Sequence, residues 1–196
     1  MALALDVAAS EFGKDGVYRL AADDRSLTTG ELVERLAGWC GAYPIVSLED
    51  PLAEDDHAGM RAITALLGER VQIIGDDYLV TSAARVADAA TDGACNAVLV
   101  KPNQVGTLSE AKAALDAAHE RGWRAIVSAR SGETEDVTIV HLAVGWRAEQ
   151  LKVGSFARSE RMAKWNEAIR VEESLGKDTE FAGRDAVGGL RQSAGS

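Results

Sequence analysis

Residues 97–127, AVLVKPNQVGTLSEAKAALDAAHERGWRAIV, decide the fold class. The stretch opens on an apolar run without polar alternation, Ala97 to Val100, and closes on another, Ala125 to Val127. Such uninterrupted runs mark strands buried on both faces. Between them, Leu108 to Arg121 carries apolar residues at helical spacing and ends at Gly122, which suits the left-handed turn that closes a helix. A strand, a helix and a second strand joined this way form a parallel crossover unit.

The same kind of run recurs on either side, at Leu3 to Ala8, Ile45 to Leu48, Val71 to Ile74 and Leu151 to Val153, which brings the expected strands to six. Helical segments are expected between most of them, among them Gly30 to Gly41 and Ser82 to Ala90. Repeated alternation implies right-handed crossovers, hence either a doubly wound open sheet or a barrel, and the pattern alone does not choose between them. The stretch Lys14 to Thr29, rich in Asp, Gly and Thr, is expected to form an exposed excursion before the first helix. From Gly183 to Ser196 the chain is rich in Gly, Ser and Ala and is expected to fray, leaving residues 1–182 as one domain. A length of 196 residues is short of the roughly 250 of a complete eight-stranded (β/α) barrel.

Hydrophobic residues at 46% and charged residues at 27% describe an ordinary globular chain able to bury a core. The net charge of −10 repels polyanions, and no basic run overrides it, so nucleic acid and an anionic membrane surface are not expected partners. The start, MALALDVAAS, lacks the basic and apolar segments of a signal peptide, and no window approaches the roughly 18 apolar residues of a membrane span. Cys40 and Cys95 share no metal-binding spacing and lie in apolar surroundings, as buried free thiols of a reducing compartment do. A cytoplasmic protein is expected.

Nearly every expected strand ends in a polar or ionisable group: Asp6, then Glu49 and Asp50, then Asp76 and Asp77, then Lys101, then Arg130, then Lys152. Any single strand must end in something soluble, but parallel β/α folds bring these ends to one face, where catalytic groups are placed. The order is informative, because three strands end in carboxylates and the last three in cations. Converging carboxylates repel unless a hard divalent cation sits among them, and an oxygen-only donor set favours magnesium over zinc. A lysine beside such a cation gives up its proton more readily and becomes usable as a base. Metal and lysine together point to proton abstraction next to a carboxylate, with the resulting enediolate stabilised by the metal. Arg130 with Ser131 and Gly132 suits a phosphate or similar oxyanion. His57, His119 and His141 have no metal partner at fixed spacing and are given ordinary structural roles.

The motifs ALDVAASEF (4–12), YPIVSLEDPLAEDD (43–56), GDDYLVT (75–81), VKPNQVGTLSEA (100–111), VSARSGETED (127–136) and LKVGSFARSERMAKWNEAIRVEESLG (151–176) resemble the enolase (phosphopyruvate hydratase) family, in order and over nearly the whole chain. The resemblance implies an α/β fold: a partial TIM-type barrel of parallel strands, the (βα)6 portion of a ββαα(βα)6 barrel, without the capping domain and first two barrel strands. It implies Asp6, Glu49 and Asp76 as ligands of Mg2+, Lys101 as the base that removes the C2 proton, and Lys152 as the cation holding the substrate carboxylate. Arg130 and Ser131 match the phosphate-binding pair, while Glu49 and Asp76 also face the substrate.

The implied reaction is the glycolytic dehydration of 2-phosphoglycerate, a small phosphorylated acid, to phosphoenolpyruvate. The proton-donating glutamic acid of such enzymes belongs to the segment not matched here, so a second chain supplying that half is expected, and a higher oligomer is left open. The sequence departs from the family at Ala129, where histidine is usual, and at Gly13, His57 and Pro102. A methyl group cannot replace the hydrogen bonds of an imidazole. Two further readings therefore stand beside the first: a homologue acting on a phosphonate analogue in natural-product biosynthesis, and a noncatalytic remnant.

Overall fold

The structure is a computed structural model that describes residues 2–187. In chain order its elements are β1 (Leu3–Asp6), β2 (Gly13–Lys14), β3 (Val17–Leu20), β4 (Arg25–Thr28), α1 (Thr29–Ala42), β5 (Ile45–Glu49), α2 (His57–Leu67), β6 (Gln72–Gly75), α3 (Ala83–Asp92), β7 (Ala97–Val100), α4 (Pro102–Val105), α5 (Leu108–His119), β8 (Arg124–Ser128), α6 (Thr138–Gly145), β9 (Gln150–Lys152) and α7 (Ser159–Leu175). Six strands form one parallel sheet in the order β1-β5-β6-β7-β8-β9. That order decides the alternative left open by periodicity. A doubly wound sheet reverses its strand order at a switch point, whereas here each strand is added beside the last, the winding of a barrel. The sheet is a curled partial barrel with β1 and β9 at its open edges.

All four residues of β6 and of β7 are buried, as expected of strands covered on both faces. One side, through Ile73, Val98, Val100, Ala125 and Val127, joins the main core beneath the helices. The other contributes Ile74, Ala97, Leu99 and Ile126 to a small second cluster on the concave face. Local signals agree with this layering. The Thr28 side chain accepts from the Glu31 amide while Glu31 returns the bond, a capping box that starts α1. Asp56, Ser82 and Thr107 cap α2, α3 and α5 in the same way with their side-chain oxygens.

The stretch Lys14 to Thr29 departs from the expected excursion. It holds a three-stranded antiparallel sheet, β2-β3-β4, in which Tyr18 pairs with Leu27 and both are buried. The Tyr18 hydroxyl accepts from the Ala53 amide at 3.0 Å and donates to Asp56 Oδ2 at 2.8 Å, so this sheet braces the acidic loop after β5. Of the tail expected to fray, Gly183–Ala186 forms a 3₁₀ turn whose Ala186 is buried and accepts from Gln150 Nε2 at 2.8 Å; residues 188–196 lie outside the described residues. Cys40 and Cys95 are both free, the first half-buried and the second buried. Among the described residues no helix is long and apolar enough to cross a membrane.

Candidate active site

Parallel pairing brings the strand ends together. Asp6 pairs with Glu49 across β1 and β5, and Ser128 pairs with Lys152 across β8 and β9. Lys152 Nζ reaches over the concave face to donate to Asp6 Oδ2 at 2.9 Å and to both Glu49 oxygens at 2.8 and 2.7 Å. Lys101 Nζ donates to Asp76 Oδ2. Five of the expected site residues, Asp6, Glu49, Asp76, Lys101 and Lys152, therefore meet through these contacts in two ion-paired groups. Asp6, Glu49 and Lys152 border a cleft of about 570 Å³ on the concave face, floored by Ile74, Leu99 and Ile126, whose lining does not include Asp76 or Lys101.

Burial governs the electrostatics. Glu49 is 4% exposed, and its desolvation raises the carboxyl from an ordinary 4.5 to about 7, against the opposing pull of the Lys152 ammonium and with the Asp6 and Asp76 charges adding to the rise. Burial alone would lower Lys152, but its hydrogen bonds to Asp6 and Glu49 more than offset this and hold it above its ordinary value.

Asp50, next to Glu49, has a different task. Its two carboxylate oxygens accept the backbone N–H groups of Asp76 and Asp77 at 2.9 and 2.8 Å. Asp50 is thus a bracket that fixes the turn after β6 and aims Asp76. Burial raises its carboxyl to about 6, and those two N–H groups pull it back. Asp50 also has φ +40°, and Val80 and Thr81 lie at +44° and +54°, strain of the kind found around functional sites. Thr81 is 1% exposed and its hydroxyl accepts from the Lys101 amide at 3.0 Å, fixing the end of β7. Pro102 contributes to the same end. Proline suits the first turn of α4 and restricts the residue before it to extended backbone, which Lys101 adopts with φ −119° and ψ 98°.

A metal fits these donors. Carboxylate oxygens of Asp50, Asp76 and Asp77 lie within 4.8 Å of one another. Asp76 belongs both to this cluster and to the set implied by motif, and its Oδ1 is buried with no hydrogen-bond partner. An orphaned carboxylate oxygen in such a place is what a cation would satisfy. Asp50 spends both oxygens on backbone donors and Lys152 holds both oxygens of Glu49, so the carboxylate the two sets share, Asp76, is the one with an oxygen left over. The acidic cluster and the fold suggest metal binding; they do not name the ion.

Arg130 and Ser131 stand apart. Both are exposed on the loop after β8, and among the described residues the Arg130 guanidinium makes no hydrogen bond or ion pair. The loop's root is tied to the site, because Ala129 N–H donates to the Lys152 carbonyl at 2.9 Å. The histidines lie elsewhere: His57 Nδ1 is 2.9 Å from the Tyr78 hydroxyl, and His141 Nε2 is 3.0 Å from Glu167. Of the residues that hold the site rather than line it, Asp50 was noted in the sequence only as one of the strand-end acids and Thr81 was not singled out, since a strand-end aspartate and a loop threonine carry no signal separating bracket from ligand. Strand order, strand-end charges and a buried orphan carboxylate agree with what a comparison of sequences finds independently. The sequence model of the enolase C-terminal TIM barrel domain matches residues 1–189, and the chain belongs to that family.

Proposed function

We propose that this chain is the proton-abstracting part of an enolase-superfamily lyase that acts on 2-phosphoglycerate or a close analogue, on the way to phosphoenolpyruvate. The observation that carries the reading is the convergence of two lysine ammonium groups on strand-end carboxylates, Lys152 on the exposed Asp6 and the buried Glu49 and Lys101 on the buried Asp76, with one Asp76 oxygen unpartnered. Asp6, Glu49 and Asp76 would hold Mg2+, the ion that an all-oxygen donor set favours. A divalent cation there would offset negative charge developing on the substrate carboxylate.

In this reading Lys101, its backbone fixed by Thr81 and Pro102, removes the proton at C2 through Nζ. Lys152 is the cation for the substrate carboxylate, and its hold on Asp6 and Glu49 keeps it charged. Arg130 and Ser131 bind the phosphate, a pairing of guanidinium fork and hydroxyl that suits tetrahedral oxyanions. A glutamic acid to protonate the departing hydroxyl has no match in these residues, and a partner chain that pairs with β1 and β9 would supply it. Open parallel edges favour such pairing.

A base without its acid makes a distinct forecast: exchange without elimination. In D2O with Mg2+ and 2-phosphoglycerate, the C2 proton signal is expected to decay in the NMR spectrum while no enolpyruvate absorbance develops. Lys101→Ala should stop the exchange and leave Mg2+ affinity within about threefold, because the base is not a ligand. Absence of exchange from a chain shown by calorimetry to bind both Mg2+ and 2-phosphoglycerate would remove the reading.

A further inference from the structure

Lys164 lies in α7, and its side chain is 1% exposed. A buried ammonium is unfavourable unless its donors are all satisfied, and a methionine would fill the same space without that penalty. Its three donors have three acceptors: the Thr134 carbonyl at 2.8 Å, the Glu160 carbonyl at 3.0 Å and Glu133 Oε2 at 3.3 Å. Two of these belong to the loop that carries Arg130 and Ser131. The remaining Glu133 oxygen, Oε1, accepts the Arg130 backbone N–H at 2.9 Å. Lys164 thus grips the far end of the segment 130–134 directly and its near end through one carboxylate.

We propose that Lys164 is a positioning residue, which through Glu133 and the Thr134 carbonyl fixes the backbone of residues 130–134 and so presents Arg130 and Ser131 to an oxyanion. The oxyanion part rests on the reading under Proposed function; the positioning part does not. Gly132 gives this segment backbone freedom and its neighbours Arg130 and Ser131 are exposed, so little else on the loop holds it in one shape. The buried charge is explained by what it holds.

The test uses the full chain, Lys164→Met and Glu133→Ala, with amide nitrogen relaxation and titration with inorganic phosphate. Order parameters are followed at Ser131 and Gly132, whose own N–H groups do not bond Glu133. In both variants they are expected to fall from about 0.85 to below about 0.6, and phosphate to bind about tenfold more weakly, the scale of one lost charge-assisted hydrogen bond. Order parameters of β8 and α6 should stay as in the parent chain, which separates positioning from general loosening. Should Lys164→Met fail to fold, Glu133→Ala, at a partly exposed loop position, carries the test. Parent-like order parameters at Ser131 and Gly132 in a folded variant overturn the proposal. Lower ones in a chain whose parent form binds no phosphate leave the positioning intact and sink the oxyanion reading instead.

Discussion

The carboxylate end of the sheet, β1, β5 and β6, and the cationic end, β7 to β9, place their charges differently. Glu49, Asp50 and Asp76 are at most 8% exposed, with only Asp6, on the edge strand, open to solvent among the motif-matched acids, whereas Arg130 and Ser131 stand in the open on a loop. Burying an acid removes water that would stabilise its charge, so the first end must import compensation, and it does so in three forms: the Lys152 and Lys101 ammonium groups, the backbone N–H groups on Asp50, and a place for a metal ion. The second end keeps its water and needs little compensation. One half of the site is preorganised and demanding; the other is accessible and is shaped mainly by the Lys164 anchor. Under the proposed function, phosphate recognition would fall on the wet side and proton chemistry on the dry side.

The comparison is broken most severely at Asp50. Asp50→Ala leaves two N–H groups without acceptors and puts a β-carbon-bearing apolar residue at φ +40°. Each orphaned buried donor costs about 1–3 kcal/mol, so a loss of about 3–4 kcal/mol in unfolding free energy is expected by urea denaturation. Asp50→Asn, which keeps one acceptor and tolerates left-handed backbone, should lose less than half of that. A loss as small as that of an exposed ion pair would remove Asp50 from the role of bracket.

Next comes the metal. Asp76→Asn keeps the shape of the side chain and removes its charge, and Mg2+ affinity measured by calorimetry should fall about 100-fold, beyond the effect of disturbing an outer-sphere partner. Asp77→Asn should change it by less than about threefold, because Asp77 is exposed and outside the motif-matched set. Equal losses in the two variants would instead favour Asp50, Asp76 and Asp77 as the ligand cluster.

The dry half was the more legible in the sequence, for a physical reason. Strands buried on both faces must be largely apolar, so β5 to β8 announce themselves, and a charge directly after such a run is displaced to the strand end. The small sheet β2-β3-β4 was missed because neither Val17-Tyr18-Arg19-Leu20 nor Arg25-Ser26-Leu27-Thr28 alternates strictly, each burying one residue, Tyr18 and Leu27. Strands of two to four residues flanked by Asp and Gly offer too few periods to stand out from a loop. Lys164 was missed because a helical lysine is solvated by default, and only the loop folding over α7 makes it a buried one. Glu49 and Asp50 are adjacent and chemically alike; the backbone donors that separate their roles come from a turn nearly thirty residues away. Ala129 shows the opposite case, since the residue is plain in the sequence and its packing against the core adds no partner that would replace an imidazole.

Titration sharpens the contrast at smaller amplitude. Glu49 and Asp50 have folded values of about 7 and about 6, above their ordinary 4.5 and 3.8. Protonation therefore favours the folded chain: the contribution is whole below about pH 4 and is lost as pH rises through about 7. Under the proposed ligand set metal binding would oppose this, because the ion would take the place of the proton on Glu49. The rise in melting temperature produced by millimolar Mg2+ should accordingly be larger at pH 8 than at pH 5, followed by circular dichroism. A rise independent of pH would mean that Glu49 is not displaced from its proton by the ion.

The smallest effect is expected where the geometry is as good as any in the site. On α5, Lys112 Nζ donates to both Asp116 oxygens at 2.6 and 2.7 Å, a two-oxygen contact like that of Lys152 on Glu49 at 2.8 and 2.7 Å. Distance does not separate these pairs, but surroundings do. Lys112 and Asp116 are 39% and 48% exposed in their side chains, whereas Glu49 is 6% exposed in its own. Water solvates the separated partners of the first pair nearly as well as they solvate each other, while the carboxylate of the second, left alone, has no such refuge. Lys112→Ala should therefore change the unfolding free energy by no more than about 0.5 kcal/mol, and raising the salt concentration should erase the difference. Lys152→Ala in the same assay strands a buried carboxylate and should lower stability by several-fold more above pH 7 than at pH 5, where Glu49 carries a proton and needs no cation. Equal losses in the two variants would mean that burial does not set the worth of these contacts, and the contrast between the dry and wet halves of the site would fall with it.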